Sequence, residues 1–136
     1  MIYLLDTSAC VDYLRRSDSI LRKWFLTGIR PSVRLCSVVR GELLLGIWKR
    51  NTEYNRWNVM EFLDLFESCP FDDVAAESYA KIRANLEREG RVIGSNDMLI
   101  AAIAVARGAT LVTGNSKEFS RIPELQYRTL ANLAAG

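Results

Sequence analysis

Short apolar runs that each lead into a helix constrain this chain more than any other feature. "IYLL" (2–5), "VRLC" (33–36) and "TLVT" (110–113) are long enough for buried strands and too short for helices. Between them the punctuation is helical. A helix is expected from about Ser8 to Arg16. "SDSILRKWFLTG" opens on Ser/Asp capping residues and ends on Gly28, and Ser37 caps "VVRGELLLGIWKR". Another helix is expected over about Glu53 to Glu67. "CPF" (69–71) reads as a short strand, and Asp72 or Asp73 caps a helix that runs to Glu89 and stops at Gly90. "SNDMLIAAIAVARG" is an Ala-rich helix closed by Gly108, and "YRT" (127–129) reads as a last strand. Strand–helix alternation of this kind predicts an α/β fold with a mostly parallel sheet covered by helices. In such sheets ligands gather at the carboxyl ends of the strands.

Length allows one domain over residues 1–136, and 49% apolar with 25% charged residues is an ordinary globular balance. With 18 basic and 16 acidic residues the net charge is only +2, so any nucleic-acid binding must rest on a local patch. Cys10, Cys36 and Cys69 are widely spaced and read as reduced, buried thiols. No basic-then-apolar leader opens the sequence, and no apolar run approaches the ~20 residues needed to span a bilayer. A cytoplasmic protein without membrane contact is expected. The chain contains no histidine. That excludes Ser-His-Asp and Cys-His catalysis and most zinc sites, and leaves carboxylates, hydroxyls, amines or a metal.

Three acids stand where solvated acids are out of place. Asp6 ends the first apolar run, where a helix-capping role competes with a functional one. Glu42 has Val38, Leu45 and Gly46 at i−4, i+3 and i+4, an apolar or small face. Asp97 heads a stripe of Ile100, Ala101 and Ala104; the helix dipole explains an acid in the first turn but not its orientation. Were the three to share a pocket, each pair at ~4 Å would repel by about 4 kcal/mol at an effective dielectric near 20. They must therefore sit apart, take up a proton, or be neutralised by a cation. With oxygen ligands alone, that cation is hard: Mg²⁺ or Mn²⁺. Such a site suits phosphoryl chemistry.

Four segments, "YLLDTS", "SVVRGELLLGI", "IGSNDMLIAAIAVARGATLVTGN" and "KEFSRIPEL", resemble the PIN-domain ribonucleases, and in particular the VapC toxins of bacterial toxin–antitoxin pairs. They occur in that family's order and spacing over essentially the whole chain. The resemblance implies a single PIN domain, three-layered α/β/α, and a magnesium- or manganese-dependent endoribonuclease. Asp6, Glu42 and Asp97 match the family's catalytic metal-binding acids. A fourth acid often follows the strand matching "TLVT"; here that position is Asn115, with Glu118 three residues on as a substitute or as a partner of a metal-bound water. Thr113 resembles a family position that supports the site by hydrogen bonding, and Thr7 and Ser8 match the residues following the first Asp. All three are candidates to support the site, against ordinary strand-end and cap roles. Arg15, Arg16, Arg40, Lys49, Arg50, Arg91 and Lys117 are candidate phosphate contacts, each with solvated surface charge as the rival reading. The implied substrate is structured RNA, with transfer RNA the precedent, cut in single-stranded loops. The implied partners are a second copy of the chain and a VapB-like antitoxin.

Apolar residues of "YNRWNVMEFLDLFE", among them Trp57, Met60 and Leu65, exceed one helical face and suggest an interface, to which Trp48, Trp24 and Phe25 would add. Two rivals use an Asp after the first strand. A haloacid-dehalogenase-like phosphatase wants Asp-x-Asp where this chain has "DTS", and a receiver-type domain wants an early acidic pair. Neither pattern is present. The remaining alternative is a catalytically inert PIN-like RNA- or protein-binding module.

Overall fold

The computed structural model describes residues 1–50 and 52–135. Among them five strands form one sheet: β1 (Tyr3–Leu5), β2 (Val33–Cys36), β3 (Ser68–Cys69), β4 (Thr110–Thr113) and β5 (Tyr127–Thr129). Their spatial order is β3-β2-β1-β4-β5. Every pairing is parallel, with Tyr3 opposite both Val33 and Thr110, and Leu111 opposite Tyr127. β1 and β4 are buried throughout, which is why they read as unbroken apolar runs rather than alternating ones.

The helices are α1 (Thr7–Arg15), α2 (Ile20–Trp24), α3 (Ser37–Arg50), α4 (Glu53–Leu63), α5 (Asp73–Arg88), α6 (Ser95–Arg107), α7 (Ser116–Phe119) and α8 (Leu130–Ala135). From β1 the chain steps outward to β2 and β3, then returns past β1 to β4 and β5. Right-handed crossovers put α1 to α4 on one face of the sheet and α5 and α6 on the other. Packing agrees: α1 touches α2, α3 and α4, while α5 lies along α6. This is the expected three-layer arrangement. Leu4, Leu5, Leu35, Ile100, Ile103 and Val112 are fully enclosed at its centre. No helix of the described residues is long and apolar enough to cross a membrane.

Several expectations need correction. The helix expected over 17–28 is α-helical only over Ile20–Trp24; a π-turn then spans Phe25–Ile29, with Gly28 at φ 88°. The helix expected to reach Glu67 stops at Leu63, and the strand expected over 69–71 lies at Ser68–Cys69. Two short helices, α7 and α8, were not anticipated. Each has a local signal of side chain and backbone bonding across three residues. Asn115 caps α7 with Glu118 at the third position, and Thr129 and Asn132 exchange hydrogen bonds at 3.1 and 3.2 Å before α8. Trp24 and Phe25 are partly buried, Trp24 standing edge-on to Tyr3 at 5.0 Å, so they do not join an outer surface. Trp48 and Trp57 do, at 75% and 66% exposure, whereas Phe62, Leu63 and Phe66 face the core.

Candidate active site

The sheet order reverses at β1, so a crevice opens beyond the carboxyl ends of β1 and β4. Asp6 follows β1 directly, and its N–H donates to Val112 of β4 at 3.0 Å. α1 and α3 each leave a strand at this edge, so Asp6 at the start of α1 and Glu42 in the second turn of α3 lie here. α6 follows α5 rather than a strand, and the influence of Asp6, Glu42 and Glu118 on Asp97 places its first turn beside the same acids.

Asp6 does cap α1, accepting from the Ala9 N–H at 2.9 Å through Oδ1. A cap does not require burial, yet Asp6 is only 4% exposed. The Ser8 hydroxyl also donates to Oδ1, at 2.7 Å, and the Thr113 hydroxyl donates a short hydrogen bond to Oδ2. Ser8 in turn accepts from the Gly114 N–H at 2.8 Å, and Thr113 from the Asn115 N–H at 2.9 Å. The exits of β1 and β4 are thus stitched together around one carboxylate. Burial pushes the Asp6 carboxyl up; the bonds from Thr113, Ala9 and Ser8 oppose this, and the charge of Glu42 adds to it.

Glu42 accepts from the Thr7 hydroxyl at 2.7 Å. Its surroundings differ from those expected. The core side of α3 is Val39, Leu43 and Ile47, and Leu45 of the supposed inward stripe is 53% exposed. Glu42 stands half-buried at the rim of the core, held by its threonine rather than by an apolar face.

Asp97 lies above a stripe that is fully buried at Ile100, Ala101 and Ala104. Its carboxyl is pushed up to about 6, first by burial, then by a hydrogen bond with Glu118 and the charges of Glu118, Asp6 and Glu42. Four acids from distant parts of the sequence therefore sense one another. Gly94 lies beside the pair: a Cβ there would stand 3.7 Å from Asp97 Oδ2 and 4.0 Å from Glu118 Oε2. The Asn115 side chain is directed to capping, accepting from the Lys117 N–H, and Glu118 is the acid that meets Asp97.

Among the described residues, no three His, Cys, Asp or Glu side chains are drawn in around one ion-sized point. Asp6 is engaged by Ser8 and Thr113, Glu42 by Thr7, and like charges oppose closer approach. The donor set nonetheless fits a hard divalent cation in kind: it offers carboxylate oxygens only, and burial first, then neighbouring acids, hold the Asp6 and Asp97 carboxyls up in a way that a cation would relieve.

Of the candidate cations, Arg15 and Arg50 border the cavity of about 660 Å³ that adjoins Thr7 and Glu42. Arg40 and Lys49 share α3 with Glu42 but do not line that cavity, and neither do Arg16 and Arg91. Lys117 is exposed on α7 next to Glu118. Asn55 and Asn58 line the same cavity and were not singled out in the sequence; polar residues on an exposed-looking stretch gave no signal.

The PIN domain family matches residues 3–125. The chain belongs to the PIN-domain family. Ribonuclease VapC2 of Rickettsia felis is 39% identical over 127 residues, covering 92% of this chain and 95% of that protein. A tRNA(fMet)-specific endonuclease VapC of Salmonella typhimurium is 33% identical over 127 residues, covering 91% and 94%. In the crystal structure of Rickettsia felis VapBC2 bound to a promoter DNA fragment, one chain superposes with a TM-score of 0.84 at 37% identity, over 95% of this chain and 98% of that one.

Proposed function

We infer that this PIN-domain chain is the toxin of a VapBC-type toxin–antitoxin pair and acts as an endoribonuclease. Similarity at 39% identity to a VapC ribonuclease, over nearly the full length of both chains, supports that activity. The observation that supports the site assignment is that Glu118, Asp6 and Glu42, from distant parts of the sequence, all stand near enough to Asp97 to push its carboxyl up. One PIN domain over residues 1–136 accounts for the activity.

In this reading Asp6, Asp97 and Glu42 hold a divalent cation, Mg²⁺ or Mn²⁺, with Glu118 beside Asp97 in place of the acid missing at Asn115. When bound, that ion lowers the pKa of a water and stabilises negative charge on the phosphate. Ser8 and Thr113 keep both Asp6 oxygens aimed, and Thr7 does the same for Glu42. The Asp97 carboxyl, held up by burial and by its hydrogen bond with Glu118, gains most from the charge of an arriving cation. Arg15 and Arg50 engage phosphates flanking the cut, while Lys117, Arg40 and Lys49 add weaker, screened attraction.

The substrate is structured RNA cut at a single-stranded loop, and transfer RNA is the class named for the Salmonella relative. The partner is a VapB-like antitoxin. Leu45 and Trp48 on α3 and Trp57 on the adjoining α4 offer exposed apolar surface for it or for a second copy of this chain. The proposed compartment is the cytoplasm, where three unpaired buried thiols stay reduced. RNA cleavage with Mg²⁺ or Mn²⁺, with and without chelator, for wild type and Asp6→Ala tests the mechanism. Cleavage only by wild type with metal is expected; cleavage that survives both the chelator and the substitution would overturn it.

A further inference from the structure

The cavity between α1, α3 and α4 is built like a nucleotide site rather than a packing defect. Leu43 and Val59 form a buried apolar floor, and Val11 and Leu14 give it a half-buried wall. Asn55 and Asn58, one helical turn apart on α4, bring two half-buried side-chain amides to it. Among the described residues neither amide is hydrogen-bonded, and neither Arg15 nor Arg50 at the margin is ion-paired. Thr7 and Glu42 also line it, so the cavity shares one acid with the acidic site. Its volume of about 660 Å³ is ample for a base with its sugar.

We propose that this cavity receives one unstacked nucleobase of the RNA next to the cut phosphodiester, with Asn55 and Asn58 reading its edge. The proposal deepens the ribonuclease reading and rests on it. A base taken out of its stack needs an apolar slot for its faces and amide donors and acceptors for its edge. It also needs cations outside the slot for the neighbouring phosphates, and Arg15 and Arg50 supply these. A peptide is the rival occupant. Two unpaired guanidiniums beside a slot that leads to Glu42 favour a polyanion whose phosphate continues to the acids.

The test is binding of four labelled single-stranded probes, oligo-A, oligo-C, oligo-G and oligo-U, to the full chain by fluorescence anisotropy. A chelator keeps the probes uncut. Wild type is expected to rank the four bases. Asn58→Leu should compress the spread between tightest and weakest by about tenfold, the discrimination a bidentate amide–base contact carries. Asn58→Asp keeps the shape and removes the amide donors, so it should reorder the four and guards against a folding artefact. Arg50→Gln should weaken all four alike and lower the salt dependence by about one charge.

No binding of any probe overturns the proposal, as does a ranking that both Asn58 variants leave unchanged. Loss of antitoxin binding with RNA ranking intact would hand the slot to a peptide. A separate magnesium cleavage assay distinguishes the two readings. Cleavage without base ranking sinks only the slot, whereas ranking without cleavage sinks only the nuclease.

Discussion

Asp6 and Asp97 are both aspartates at helix starts on the same sheet edge, yet they are held in opposite ways. Asp6 is almost fully enclosed and receives three hydrogen bonds, from Ala9, Ser8 and Thr113. Asp97 is half-buried, and the partner that most affects it is another acid, Glu118. One carboxylate is positioned by donors before any ligand arrives. The other sits in a field of its own sign that a proton or a cation must relieve. Rigidity and unspent charge fall to different residues, and the proposed cation site would draw on both.

The harshest way to break this contrast is Asp6→Ala. We expect cleavage to fall by about 10³-fold or more, since several kcal/mol of metal-assisted stabilisation is lost. Metal-dependent cleavage of RNA, followed by gel, reads the loss; near-wild-type rates would show that Asp97 and Glu118 suffice. Thr113→Val comes next. It removes the hydroxyl that holds Asp6 Oδ2 and leaves the Asn115 N–H without its acceptor. Metal affinity or activity should fall about 10–100-fold, and thermal unfolding should show a cost of about 1–3 kcal/mol. A loss of stability with unchanged metal affinity would make Thr113 a purely structural residue.

Asp97 should respond in the opposite sense. Its carboxyl titrates near 6 in the folded chain against 3.8 ordinarily, so the folded state binds more protons between those values. For this group stability is greatest below the unfolded pKa and declines as the pH rises through the folded one. Metal-free melts should therefore weaken from about pH 4 to about 6, by about 1 kcal/mol once solvent screening of a half-exposed group is allowed for. Asp97→Asn should flatten that slope and raise the metal-free Tm by a few degrees at neutral pH. A marked drop in Tm would reduce Asp97 to a helix-start residue. The smallest effect is expected for Thr7→Val, which frees Glu42 from a 2.7 Å bond on a half-exposed side chain. Cleavage should slow by less than about tenfold.

"VRLC" and "TLVT" were legible as strands because they are short, largely buried apolar runs that end where the structure ends them. "YRT" also matches its strand, although its three residues are only half-buried. Asp97 was legible because the positions one and two turns beyond it, Ile100, Ala101 and Ala104, are buried, although α6 also buries Met98, Ala102 and Ile103. Glu42 was suspected on a weaker ground. α3 is apolar over much of its circumference, so periodicity could not tell the core side from the rim, and only the Thr7 contact locates it. The resemblance supplied Glu118 as a candidate, but its meeting with Asp97 depends on α7, a four-residue turn too short to show a period. Asn55 and Asn58 escaped because an uncharged amide beside a cavity looks, in one dimension, like any surface amide.

Gly114 carries a consequence for tolerance to change. It is solvent-exposed and is not among the glycines with positive φ, so neither exposure nor backbone conformation marks it as special. A methyl group there would come within 3.2 Å of the Ser8 oxygen and 3.4 Å of Leu130. A side chain at this position is therefore confined from two sides, by Ser8 and by Leu130 of the last helix. An alanine at this outward position would disturb the chemistry sooner than many a trimmed side chain in the interior.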